Sequence, residues 1–225
     1  MGETRALPLV RALLTDPKAA KPINLALQGG GAHGAFTWGV LDRLLEDGRL
    51  RFEGVSGTSA GAVNAVALAA GLAEGGPEAA RAKLEEVWRG VSQASCCHPL
   101  RSLPPDSRDG TEVPSDSAGH IALDVLTRVF SPYDLNPLDI DPLRDVLEGA
   151  IDFKSVRRAG APELFLAATE VSTGRARIFT SSEVSLDVVL ASACLPTLRK
   201  AVKIGRHHYW DGGFSANPAL MPLVR

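Results

Sequence analysis

Two glycine-rich segments contain the residues whose types and spacing could do chemistry. They are Gly29-Gly30-Gly31-Ala32-His33-Gly34 and Gly57-Thr58-Ser59-Ala60-Gly61, whose serine lies 28 positions beyond Gly31. The second has the G-x-S-x-G form of a nucleophile elbow, a sharp strand-to-helix turn that presents a serine hydroxyl at the positive end of the helix. Glycines flank the serine in such a turn because it leaves no room for a Cβ on either side. The first segment could offer the N–H groups of Gly29, Gly30 and Gly31 to an oxyanion, with the N–H of Ala60 beside them. The chemistry suggested is acyl transfer through Ser59. Each motif also has a plainer meaning. G-x-S-x-G describes any tight β–α turn with a capping serine, and Gly29, Gly31 and Gly34 match the G-x-G-x-x-G of a dinucleotide-binding turn. A dinucleotide site also wants an acidic residue at the end of the next strand. Here Glu53 falls at the start of that strand instead.

A serine nucleophile needs a base. In an α/β-hydrolase the order is serine, acid, histidine, and the histidines after Ser59 are His98, His120, His207 and His208. Either of the last two could complete a triad with an acid such as Asp187. Adjacent residues on a strand point to opposite faces, and taken alone this pair reads as the solvated rings of an exposed hairpin. Asp211 is the better candidate. It follows Tyr209-Trp210 and precedes Gly212-Gly213, a turn that backbone can approach closely. By itself it also reads as a turn with an Asx hydrogen bond. A carboxylate is a weak base for a hydroxyl, but exclusion of water and hydrogen bonding can bring it into range.

The elements that must position these groups alternate. Residues 23–27 predict a strand, Val40, Leu41, Leu44 and Leu45 a helix stopped by Gly48, and 52–56 a second strand that turns through 57–61 into an alanine-rich helix over 62–73. That order argues for a parallel α/β sheet. A further helix is expected over 79–92, and 99–119 reads as a long polar loop, a lid or a disordered insertion. Helices follow at 121–130 and at 142–149, where Asp141 caps and Pro142 occupies the first position. Strands at 164–168 and 177–179 flank Ser172-Thr173-Gly174. A helix over 186–194 ends before Pro196, and a hairpin turns at Gly205-Arg206.

Composition narrows the partners. With 225 residues, 45% of them hydrophobic, the chain fits one domain, and its net charge of −2 offers no field for nucleic acid. Three cysteines, Cys96, Cys97 and Cys194, make no disulfide framework, so a reducing, cytoplasmic setting is expected. Cys96-Cys97-His98 lacks zinc-ligand spacing. Residues 7–14 make a poor signal peptide, and Ala6 stands where a myristoylation motif wants Ser or Thr. The longest apolar run, Ala60 to Ala73, is interrupted by Asn64 and predicts no membrane span.

The segments Gly29–Gly34, Gly57–Gly61 and Asp211-Gly212-Gly213, in this order, resemble the three signatures of the patatin-like phospholipases. Ala191-Ser192-Ala193-Cys194-Leu195-Pro196 before the aspartate adds to the likeness. The resemblance runs from about Ile23 to the C-terminus, giving an extension (1–22) and an acyl hydrolase domain (23–225) that ends sooner after Asp211 than is usual in the family. It implies a three-layer α/β/α fold with a mostly parallel central sheet. It also implies a Ser59–Asp211 dyad without histidine, an oxyanion loop at Gly29–Gly31, and no metal or organic cofactor. The substrate it implies is a lipid or other acyl ester, met in transient contact with a membrane or micelle surface. Two rivals are a dinucleotide-binding module built on Gly29–Gly34 and a catalytically inactive patatin-like interaction domain.

Overall fold

The computed structural model describes residues 20–96, 141–196 and 199–224. The loop expected over 99–119 and the helix over 121–130 lie outside them. β1 (Lys21–Leu27) leads through the glycine loop and one 3-10 turn into α1 (Gly34–Asp47). Gly48 stops that helix at φ 69°, a left-handed position that glycine takes without a Cβ penalty. β2 (Leu50–Thr58) enters α2 (Ala60–Cys96) through Ser59. Then come α3 (Pro142–Ala150), β3 (Glu163–Glu170), β4 (Ala176–Thr180), α4 (Leu186–Ser192), β5 (Val202–Ile204) and β6 (His207–Asp211). The Asp141 side chain caps α3 by accepting from Leu143 N at 3.0 Å, with Pro142 in the first turn, as the sequence predicts.

The two helices expected over 62–73 and 79–92 are the arms of α2. Gly75 and Gly76 leave helical geometry (φ −167° and 75°), and Pro77 follows. The second arm returns along the first. A Cβ on Gly71 would lie 2.6 Å from the Ala80 nitrogen, and Trp88 Nε1 donates to Asn64 Oδ1 at 2.8 Å. Ala62, Val63, Ala65, Val66, Ala67, Leu68, Ala69 and Ala70 are all buried, so the first arm is apolar on every side. The two arms of α2 together pack against β2, β3, α1 and α3, with Gly90 of the second arm against Val146 of α3. Among the described residues no helix is long and apolar enough to cross a membrane.

The sheet is mixed and flanked by helices, consistent with the three-layer α/β/α class. β1 and β3 run parallel to β2, while β4 and β6 are antiparallel to β3 and β5 is antiparallel to β6. The departure from an all-parallel sheet comes from two hairpins. Their turns, with Gly174 at φ 66° and Gly205 at φ 62°, are far too short for the crossover that parallel neighbours require.

β3 has three partners but only two edges. Its residues 165–167 pair with β2 and with β4, and residues 168–169 pair with β4 and with β6. β2 and β6 therefore share one edge and meet end to end, Thr58 opposite Ala167 and Asp211 opposite Ala168. Two carboxyl-terminal strand ends thus face each other at one point of the sheet.

Candidate active site

Ser59 is the one non-glycine residue with positive φ (56°) among those described. The left-handed region costs an L-residue roughly 1–2 kcal/mol, so the surroundings must hold it there. The two motif glycines make the turn possible. A Cβ on Gly57 would lie 2.6 Å from Gly61 O, and one on Gly61 would overlap Leu27 O at the end of β1. The turn is also clamped by a side chain: Ser59 N donates to Ser192 Oγ at 3.0 Å, and Ser192 Oγ donates to Ala167 O at 2.6 Å. Ser192 is fully buried at the end of α4, with both roles of its hydroxyl used. Ser192→Ala removes the hydrogen bonds to Ser59 N and Ala167 O, a loss of about 1–3 kcal/mol. Denaturant titration should show it, and an unchanged midpoint would mean that the clamp contributes nothing.

The glycine loop lies directly against the elbow. A Cβ on Gly29 would be 2.8 Å from Ser59 Cβ and 2.9 Å from Thr58 O, so only glycine fits. Gly29 N is engaged, donating to Asn217 Oδ1 at 2.7 Å. The N–H groups of Gly30, Gly31 and Ala60 have no protein acceptor among the described residues. The far end of the loop is pinned by Asn64, whose Nδ2 donates to Gly34 O at 3.0 Å while its Oδ1 takes the Trp88 indole. Gly34 itself packs so closely that a Cβ would lie 2.7 Å from Ala60 Cβ. The polar residue that interrupts the apolar run of α2 thus ties the loop's exit to the elbow helix.

Asp211 is 4% exposed and held by its backbone on both sides. Its N–H donates to Cys194 O at 2.8 Å, and its carbonyl accepts from Thr169 Oγ1 at 2.8 Å. Its Oδ1 accepts from Gly213 N at 2.7 Å, the Asx turn that the sequence suggests. Gly212 fits between strand ends: a Cβ there would overlap Ala167 O and lie 3.0 Å from Thr58 Cγ2. No hydrogen bond joins Ser59 Oγ to the Asp211 carboxylate among the described residues. The topology nevertheless brings the glycine loop, the elbow and the Asp-Gly-Gly turn together.

The other candidate bases lie elsewhere. His207 and His208 are both exposed on β6, three and four residues before Asp211, or about 10–13 Å along a strand. His207 Nδ1 meets Glu170 Oε1 at 2.7 Å. Hydrogen bonds from Ser172 and then His207 hold the Glu170 carboxyl below its ordinary range. Asp187, the acid considered with them, forms a surface pair with Arg144 Nη2 at 3.0 Å. His98 and His120 lie outside the described residues. A cavity of about 400 Å³ opens at the histidine end of β6, beside Arg206 and Trp210, and includes neither Ser59 nor Asp211. Burial pushes the Cys194 thiol up to about 11, which leaves it protonated and inert at neutral pH.

A family model described as patatin-like phospholipase matches residues 25–224, nearly the whole chain. The chain belongs to the patatin-like phospholipase family. The mixed sheet described above is a patatin fold, and membership supports lipid acyl hydrolysis in general. Among solved structures, this patatin-like chain is similar to VipD from Legionella pneumophila, with 17% identity and a TM-score of 0.42. The alignment covers 88% of this chain and 46% of VipD, so the chain spans less than half of that protein. No curated protein matches it. Ser192 lay within a segment that adds to the family likeness, but its role, like those of Asn217 and Asn64, was not legible in the sequence, since each acts on backbone distant in the chain. The one available signal was a polar residue inside an apolar element, which applies to Asn64 and Ser192.

Proposed function

We propose that this protein is a serine lipid acyl hydrolase working through a Ser59–Asp211 dyad. Asp211 accepts the Ser59 hydroxyl proton as Oγ adds to an acyl-ester carbonyl, and the N–H groups of Gly30, Gly31 and Ala60 receive the oxyanion. The tetrahedral intermediate expels the alcohol, which takes the proton back from Asp211, and the acyl group remains on Ser59. Asp211 then deprotonates a water that attacks the acyl-enzyme, and the fatty acid leaves as Ser59 regains its proton. The observation that carries this reading is the end-to-end meeting of β2 and β6 on one edge of β3. The strand that leads into Ser59 and the strand that ends at Asp211 thereby stop at consecutive positions of β3, Ala167 and Ala168. The strained φ of Ser59 supports it too, since such strain clusters at reacting residues. The test is fatty-acid release from mixed phospholipid vesicles by the parent protein, Ser59→Ala and Asp211→Asn. Release that survives either substitution would overturn the dyad.

The substrate surface is apolar in this proposal. Phe36, in the first turn of α1, is 77% exposed, and Phe214, directly after Gly213, is 62% exposed. Leu220, Met221 and Val224 are also more than half exposed. Phe36 and Phe214, which adjoin the glycine loop and the Asp-Gly-Gly turn, suit contact with a lipid interface, the more so on a chain without a basic field. Burying one phenylalanine contributes about 1.5–3 kcal/mol, so Phe214→Ser should weaken turnover on vesicles by roughly 10- to 100-fold. Turnover of a soluble short-chain ester should be spared, and equal losses on both substrates would argue against interfacial docking through this residue.

A further inference from the structure

The segment that follows Asp211 runs past the site as a strap, held by side chains of the two strands beneath it. Ser56 Oγ donates to Ala219 O at 2.6 Å, Thr58 Oγ1 to Ala216 O at 2.8 Å, and Asn24 Nδ2 to Leu223 O at 3.0 Å. Ser56 and Thr58 are fully buried on the strand that leads to the elbow, where apolar residues would otherwise be expected. Their hydroxyls set the strap's register, and that register places Asn217. Its Oδ1 takes the Gly29 N–H at 2.7 Å, and its Nδ2 lies 4.0 Å from where a Gly213 Cβ would sit. One amide therefore stands between the glycine loop and the Asp-Gly-Gly turn.

We propose that Asn217 is a positioning residue that orders the oxyanion loop. The inference rests on the reading of Ser59 and Asp211 as the reacting pair. Three consecutive glycines have more backbone freedom than any other tripeptide, and donors stabilise an oxyanion only when they are already aimed at it. The Gly29 N–H is the loop's anchor to the strap, which leaves Gly30 and Gly31 free of protein acceptors and pointed by that anchor. Asn217 touches no reacting atom in this scheme and acts through Gly29.

The test uses the full chain as parent, Asn217→Ala, Asn217→Asp and Ser59→Ala. The readouts are kcat and KM on a soluble p-nitrophenyl ester, the rate of Ser59 labelling by a fluorophosphonate, and the melting temperature. Loss of a single oxyanion donor costs about 100- to 1,000-fold, so loosening the loop through Asn217→Ala should lower kcat by roughly 10- to 100-fold. KM should stay within about threefold of the parent, and labelling should slow in parallel, because phosphonylation develops negative charge on the same oxygen. Asn217→Asp keeps the acceptor and should rescue kcat at acidic pH. Relative to the parent, that variant should lose activity as pH rises and the introduced carboxyl becomes an anion beside the developing oxyanion. Unchanged kcat in Asn217→Ala, or a fall fully matched by a drop in melting temperature with no pH-dependent rescue, would overturn the proposal. A parent protein that fluorophosphonate labels no better than Ser59→Ala would overturn the underlying dyad, a failure recognisable without any Asn217 variant.

Discussion

Asp211→Asn is expected to lower fatty-acid release by about 100- to 10,000-fold, the range typical for loss of a positioned general base. Ser59→Ala should remove covalent labelling altogether. The stability of the two variants should not fall with their activity. The asparagine keeps an oxygen for the Gly213 N–H that Asp211 Oδ1 accepts at 2.7 Å, and the substitution removes a carboxylate from a position only 4% exposed. A near-isosteric side chain that keeps this hydrogen bond should melt close to the parent. Ser59→Gly extends the argument. It relieves the left-handed strain at φ 56° and should raise stability by about 1 kcal/mol while destroying activity. The measurements are vesicle hydrolysis and thermal melts on the same preparations. Activity retained in Asp211→Asn would return attention to another base. Activity lost together with a collapsed melt would mean that Asp211 is structural only.

Adding a single methyl group at Gly61 or Gly212 should have the largest effect on stability. At Gly61 the new Cβ would overlap Leu27 O, and at Gly212 it would overlap Ala167 O. Both obstacles are strand backbone, which cannot swing away as the tip of a flexible side chain can. Overpacking of this kind costs about 1–3 kcal/mol, and a backbone obstacle belongs at the upper end or beyond. For a domain of this size, about 3 kcal/mol corresponds to a fall in melting temperature of roughly 6–12 °C. Gly149→Ala is the internal comparison. It is exposed within α3, nothing lies within 4 Å of its Cβ position, and its φ is not positive. An alanine there should be neutral or stabilising by up to about 1 kcal/mol, since glycine weakens helices. A Gly61→Ala variant that melts with the parent would refute the close seating of the elbow on the end of β1.

The sequence by itself determined the features that depend on neighbouring residues. Gly48 and Gly205 mark a helix end and a hairpin, Asp141-Pro142 marks a helix start, and Gly57 and Gly61 bracket a serine that must turn, because each rule concerns backbone geometry within a few residues. The family signatures were legible for the same reason. The tertiary structure alone decided how these pieces meet. Two short hairpins made the sheet mixed and brought β6 to the edge of β3 that β2 leaves open beyond Thr58. The clamp on Ser59 comes from a serine 133 positions away, and the anchor of Gly29 from an asparagine 188 positions away. A hydrogen bond to distant backbone leaves no periodicity and no motif in the chain. Its partner is fixed only once strand order and register have set which carbonyl or N–H stands opposite.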